Sequence, residues 1–402
     1  MRYAAKKRIR AKLISAGYIE NIHMDKLLTT MEHWDNSSKL ILPLEPFCKT
    51  CFVQPSNLWK MIQTNNLQSH GKEECLIKIE EDKHCSFRPL NNEDNIENRY
   101  KNSQLILEKI KTTLPISAKQ QWLLSGTDSF IWQHQDNNLN PAAENNVYPN
   151  SFKEISLFLE EGAHINIIRQ IQSSDTMVLS VYAAKNSMLN LIDISRDNNT
   201  ATYYCHEIQE GAQINHLILN KNIQKNSRHV VETHLLGKYA TTFLEGRFKH
   251  EETNEETNKE TNAKINERTC LLDVHHLVSH VAAETSSVID IKTAGSGSIS
   301  QTMQTIIELD AEDANAKQIA KHLTDGKQSQ TFIKPLLFIF NKNVSCQHGV
   351  AVGAIEKGQL DYLQTRGLNE KQAKTILLQS NVLPSARFSD LLNSAGLSHV
   401  FY

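Results

Sequence analysis

Two near-identical stretches decide the fold: EGAHIN at residues 161–166 and EGAQIN at 210–215, 49 residues apart. A turn glycine followed by a strand start, recurring at a fixed offset, is what stacked coils of a β-solenoid produce. Coils of roughly 20 to 25 residues fit two per interval. The surrounding sequence agrees. TMVLSVYAA (176–184), MLNLIDIS (188–195), ATYYCHEI (201–208), HVVETHLLG (229–237) and ATTFLEG (240–246) are short β-branched runs separated by Asn, Asp, Gly and Ser. These are strand signals at short regular spacing. On pattern alone, a β-sandwich explains the strands nearly as well.

Outward from this region the texture changes. Residues 1–135 read as a mostly helical N-terminal domain. Leu27, Leu28, Met31 and Trp34 make one apolar face, and Leu105, Leu107, Ile110 and Leu114 another, stopped by Pro115. QDNNLNPAAENNVYPN (135–150) is a polar, Pro-punctuated boundary loop. The β core then covers 151–350. It is interrupted at 250–269 by HEETNEETNKETNAKINERT, an acidic low-complexity loop that cannot bury itself. Residues 351–402 form a C-terminal helical domain. Leu360 and Leu363 share a face, and Gly367 suits a helix stop. Asn369 with Gln372 suggests a capping box ahead of Ala373, Ile376 and Leu377. Pro384 and Ser385 open a last helix carrying Phe388, Leu391 and Leu392.

The totals exclude several classes. With 402 residues and a net charge of −2, the chain lacks the basic surplus of a nucleic-acid binder. Its longest apolar run, PLLFIF at 335–340, is far short of a membrane span. The basic start MRYAAKKRIRAKLISAGY has no hydrophobic core behind it, so it is not a secretory signal. It can be read as a transit peptide or, better given its scarce serine, as an exposed first helix. A cytoplasmic protein is expected, with seven cysteines present as thiols.

Several residue groups bear on chemistry. CQHGVAVG (346–353) sets Cys346 and His348 on one face of a strand, because strand side chains alternate. Thiolate and imidazole suit iron–sulfur clusters, zinc or copper. Two ligands do not close a four-coordinate site, and the plainer alternative is a buried cysteine beside a satisfied histidine. Cys48 and Cys51 form a C-x₂-C pair near His70, Cys75, His84 and Cys85, a zinc candidate without the paired second half. DVHHLVSH (273–280) holds His276 and His280 four apart, a ligand spacing only on a helix; the valines point to a strand instead. No GxxxxGK[ST], GxGxxG or GxSxG motif is present, and no carboxylate pair stands out in the β region.

KPLLFIF (334–340), VSCQHGVAVG (344–353), LDYLQTRGL (360–368) and Ala373 together resemble the C-terminal signature of the SufB/SufD family of iron–sulfur cluster assembly scaffolds. The matching residues are Lys334, Pro335, Cys346, His348, Gly349, Tyr362, Leu363, Arg366, Gly367 and Ala373. Upstream, His280, Ser287, Lys292 and Gln318 fit the family's spacing. The resemblance covers about 280–378. His348-Gly349 is similar to the SufD side of the family, whereas SufB carries His-Glu-Ala. Val350, Phe338, Lys342 and Asn343 depart from the pattern, and the tail after Leu378 is short.

The resemblance implies a mainly β protein: a right-handed parallel β-helix flanked by N- and C-terminal helical domains. It implies a non-catalytic scaffold subunit that joins a SufB-like paralogue through the β-helices, with the nascent cluster at their junction. A SufC-like ABC-type ATPase would dock on the C-terminal helices, where Arg366 and Gly367 shape a turn. His348 would be the metal ligand contributed, with Cys346 a nearby thiol. The iron–sulfur cluster would be transient and shared with the partner, none being held permanently by this chain. In isolation a homodimer is expected, and neither nucleic acid nor membrane is a partner. The rival readings are a SufB-like main scaffold, a β-helix polysaccharide hydrolase, and a zinc module at Cys48 and Cys51.

Overall fold

In the computed structural model the described residues are 60–65, 77–78, 87–89, 116–135, 152–171, 176–195, 201–223, 227–250, 271–325 and 330–397. Their strands alternate between two sheets. The first runs, in spatial order, β2 (Ile77–Lys78), β1 (Lys60–Asn65), β5 (Thr127–Gln135), β7 (His164–Ile171), β9 (Met188–Ser195), β11 (Gln213–Ile223), β13 (Thr241–His250), β15 (Ser286–Ala294), β17 (Ala314–Thr324) and β19 (Val344–Ala354). The second runs β3 (Phe87–Pro89), β4 (Ile116–Leu124), β6 (Phe152–Leu159), β8 (Thr176–Ala183), β10 (Ala201–Ile208), β12 (Ser227–Leu235), β14 (Leu271–His280), β16 (Ser298–Ile307) and β18 (Gln330–Ile339). From β4 onward every neighbour is parallel; only the β1–β2 and β3–β4 pairs are antiparallel. A sandwich of hairpins would give antiparallel ladders. Consecutive strands that change sheet and stack on their own predecessors make a parallel β-helix.

The repeated motif marks one corner of the coil. His164 pairs with Met188, and Met188 with Gln213, so two coils separate the echoes. At that corner Gly162, Asn186, Gly211, Tyr239, Glu284 and Asp313 lie in register, each with φ between 55° and 70°. Each is followed by a small buried residue: Ala163, Ser187, Ala212, Ala240, Thr285, Ala314. The last residue of each echo also stacks. Asn190 Nδ2 donates to Asn166 Oδ1 at 2.7 Å across 24 residues, and Asn215 Nδ2 to Asn190 Oδ1 at 2.7 Å across 25. Such a ladder rewards identical side chains at the coil period.

Inward-facing residues alternate with outward ones along every strand and form one column. Leu189, Leu191, Ile214, Val231, Leu244, Val274, Ile289 and Met303 lie in it, all buried. Trp122 and Trp132 pack edge to face at 6.2 Å toward its start. These two belong to β4 and β5, within the stretch predicted as mostly helical. Trp122 and Leu124, then Phe130 and Trp132, alternate into the core. Their period of two overrides the helical reading at this edge, and the β core begins earlier than residue 151. The predicted helical faces at Leu27–Trp34 and Leu105–Leu114, the boundary loop after residue 135, and the acidic loop beyond residue 250 lie outside the described residues.

Three helices follow β19: α1 (Lys357–Thr365), α2 (Glu370–Asn381) and α3 (Ala386–Ser394). Gly367 ends α1 with φ 94°, and the capping box of α2 forms in both directions, Asn369 Oδ1 accepting from Gln372 N at 2.8 Å and Gln372 Oε1 from Asn369 N at 3.0 Å. α3 lies on the outer face of the first sheet, with Phe388 and Leu392 packed among Ile131, Ile168, Ile192 and Leu217. Polar ties fasten it there. Arg387 donates to Asn215, the end of the ladder; Arg247 Nε donates to Leu383 O at 3.0 Å; Ser385 N donates to Glu245 Oε1 at 2.8 Å. Arg247 is itself held by Glu245 at 2.9 Å and Asp290 at 2.7 Å.

Candidate functional site: the terminal coil

β18 and β19 end their sheets, and among the described residues no further coil covers them. In β19 the inward positions are Val344, Cys346, His348, Val350 and Val352. They stack on Ala314, Ala316, Gln318, Ala320 and His322 of β17, which are buried. One coil later the same orientation leads to the surface: His348 is exposed, as are Val350 at 46% and Val352 at 58%. On β18, Phe332 at 56%, Leu336 and Ile339 are exposed too. Two long strands thus offer unpaired backbone N–H and C=O groups beside exposed apolar side chains. This is a ready template for pairing with another chain.

Cys346 and His348 share a face, as their spacing predicts. Their environments differ. Cys346 is half-buried against the cluster of Ile307, Ala311, Ala314 and Ala316, and burial pushes its thiol pKa up. It is a thiol at neutral pH, not an activated thiolate. His348 stands over Gln318, whose Nε2 donates to Thr305 Oγ1 at 2.7 Å and to Leu336 O at 3.2 Å. That glutamine joins β17, β16 and β18 beneath the open end. Gly349 and Gly353 have no atom near where a Cβ would sit, so the backbone there is open to an approaching partner. Among the described residues no group of three or more His, Cys, Asp or Glu side chains is placed to hold a metal. A ligand set built on Cys346 and His348 therefore has to be completed from elsewhere.

The other sequence candidates do not converge on this end. His280 is a core residue: Nδ1 shares a hydrogen bond with Thr285 Oγ1 at 2.8 Å and Nε2 with Ser287 Oγ at 2.7 Å. Burial lowers its pKa to about 3. Lys292 is half-buried, its pKa lowered by burial and then by Arg247. DVHHLVSH is β14, so His276 and His280 are not a helical ligand pair. Cys48, Cys51, His70, Cys75, His84 and Cys85 lie outside the described residues. Arg366 caps α1 with its guanidinium over the exposed Tyr362 ring at 5.3 Å, a cation–π contact on the surface. Among the described residues no helix is long and apolar enough to cross a membrane.

A second polar feature, which no sequence motif marks, lies inside the helix. Arg169, Asp193 and several histidines face inward in the middle coils and are buried. Their signal was the inward phase of each strand, which is legible only once the register is known.

Comparison with known proteins gives concordant matches. The family described as SUF system FeS cluster assembly, SufBD core domain, matches residues 141–381. Protein ABCI7, chloroplastic, of Arabidopsis thaliana is 25% identical over 251 residues, 59% of this chain and 49% of that protein. The iron–sulfur cluster assembly protein SufD of Escherichia coli K12 is 33% identical over 76 residues, 19% of this chain and 17% of its own length. An iron–sulfur cluster assembly SufBD family protein of Synechocystis is 33% identical over 70 residues, 17% of this chain and 16% of that protein. The matched segments thus span about half the length of the first relative and less of the others.

Proposed function

This chain belongs to the SufBD family of the SUF iron–sulfur cluster assembly system, and from that premise we propose that it is a SufD-like, non-catalytic scaffold subunit. Its terminal coil pairs with the β-helix of a SufB-like paralogue. His348 is the ligand it contributes to a cluster that is carried transiently and passed on, with Cys346 as a neighbouring thiol. A neutral imidazole holds iron less tightly than a thiolate and adds no charge, which suits release. The C-terminal helices, fastened to the first sheet through Arg247 and Arg387, offer exposed Tyr362, Ile376 and Leu383 to a SufC-like ATPase. Hydrolysis belongs to that partner, since no phosphate-binding motif is present here. A cytoplasmic setting fits this role.

The observation that carries the reading is the open last coil, where a two-ligand pair sits beside two unpaired apolar strand edges. A tagged purification with mass spectrometry tests it: a SufB-like protein and an ABC-type ATPase are expected to copurify. His348→Ala is expected to leave folding and copurification intact and to lower cluster transfer to an apoprotein at least tenfold. If neither partner appears, or if His348→Ala transfers clusters normally, the reading fails.

A further inference from the structure

A β-helix interior is ordinarily a stack of apolar rows, and here the middle coils break it. Arg169, Asp193, His206, His216, His229 and His276 all face inward from neighbouring strands and are at most 1% exposed. Arg169 and Asp193 satisfy one another: Nε donates to Oδ1 at 2.8 Å, and Nη2 sits against Oδ2. His216 Nε2 lies 3.4 Å from Asp193 Oδ2, and the His206 and His216 rings are 5.2 Å apart. His206 Nδ1 shares a hydrogen bond with Thr233 Oγ1 at 3.1 Å, and His229 Nδ1 with Thr202 Oγ1 at 2.8 Å.

What remains is His206 Nε2, His216 Nδ1, His229 Nε2 and both ring nitrogens of His276, buried and without a hydrogen-bonding partner. A buried polar group left unsatisfied costs free energy, and five lie here together. They call for a bonding partner, and the surrounding side chains define its chemistry. The cluster carries no net charge, because Arg169 cancels Asp193 and burial holds the imidazoles neutral. A neutral imidazole presents one N–H and one lone pair, so the partner must both donate and accept. The donor set does not converge on a metal.

We infer that this histidine cluster is a binding site for ordered water, bridging His206, His216, His229 and His276 inside the β-helix. One water makes about three hydrogen bonds, so five nitrogens call for more than one molecule. The inference stands apart from the reading of the terminal coil, which shares none of these residues.

Oxygen-17 magnetic relaxation dispersion counts waters held long inside a protein. The unmodified chain is expected to show such waters, and His276→Leu, checked for folding by circular dichroism, to hold at least one fewer. An unchanged count in a folded variant overturns the inference. Should His276→Leu fail to fold, a high-resolution crystal structure of the unmodified chain decides. Solvent peaks within hydrogen-bonding distance of His206 Nε2 and His276 uphold it. The absence of solvent peaks at these nitrogens, or an anomalous metal peak there, overturns it.

Discussion

The middle coils and the last coil are built on one plan and end in opposite states. In β9 and β11 the inward residues Leu191, Asp193, Ile214 and His216 are sealed by the coil above. In β19 the inward residues Cys346, His348, Val350 and Val352 have a coil beneath and, among the described residues, none above. The same alternation yields a closed interior in one place and, in the other, an exposed His348 beside a half-buried Cys346 and two open edges. Burial here is decided by stacking position, not by residue type. Polar groups in the middle must be satisfied internally or hydrated, while polar groups at the end are available for chemistry with another molecule.

The largest effect expected on this contrast is acid. His229, His276 and His280 have pKa values lowered to about 3 and His250 to about 4, all by burial first. Each is neutral in the folded chain and takes up a proton on unfolding once the pH is below its unfolded value of about 6.5. Their contribution is intact above that pH and is lost as the pH falls toward the folded values, at about 1.4 kcal/mol per pH unit for each fully protonated group. Denaturant titrations at pH 7 and pH 4.5 are expected to show stability falling by several kcal/mol. A flat profile would mean that the middle coils are not sealed.

Next comes Asp193→Asn. Burial alone would raise the Asp193 pKa, but the Arg169 charge holds it below the usual carboxylate range. Removing the charge leaves Arg169 buried and uncompensated, a loss of about 3–5 kcal/mol. A smaller loss of about 1 kcal/mol is expected from Asn190→Ala, which cuts the ladder between Asn166 and Asn215. Chemical denaturation measures both.

The smallest effect on stability is expected at the open end. Val352→Lys changes an exposed side chain, and unfolding should move by less than about 0.5 kcal/mol. Because it places a charge on the edge strand, it should nonetheless abolish recovery of the paralogue in a pull-down. A large stability loss would show that the last coil is covered in the isolated chain, and the contrast between the two regions would collapse.

Local residue patterns locate the strand of Cys346 and His348, the stop at Gly367 and the capping box at Asn369, because each rests on a few residues adjacent in sequence. The repeat was legible only where the corner residue was glycine. Asn186, Tyr239, Glu284 and Asp313 hold the same left-handed corner without the glycine that would announce it. The strands β4 and β5 fall in a stretch whose sequence reads as mostly helical, because short apolar runs suit either periodicity until a neighbouring strand fixes the phase.

By itself, then, the sequence determined the coil period, the family and the two-residue motif, all local properties of spacing and chemistry. Only the tertiary structure decided which residues are sealed and which are open. The fate of each inward side chain depends on whether another coil stacks over it: His216 and His348 both face inward, and among the described residues only His216 has a strand on both sides.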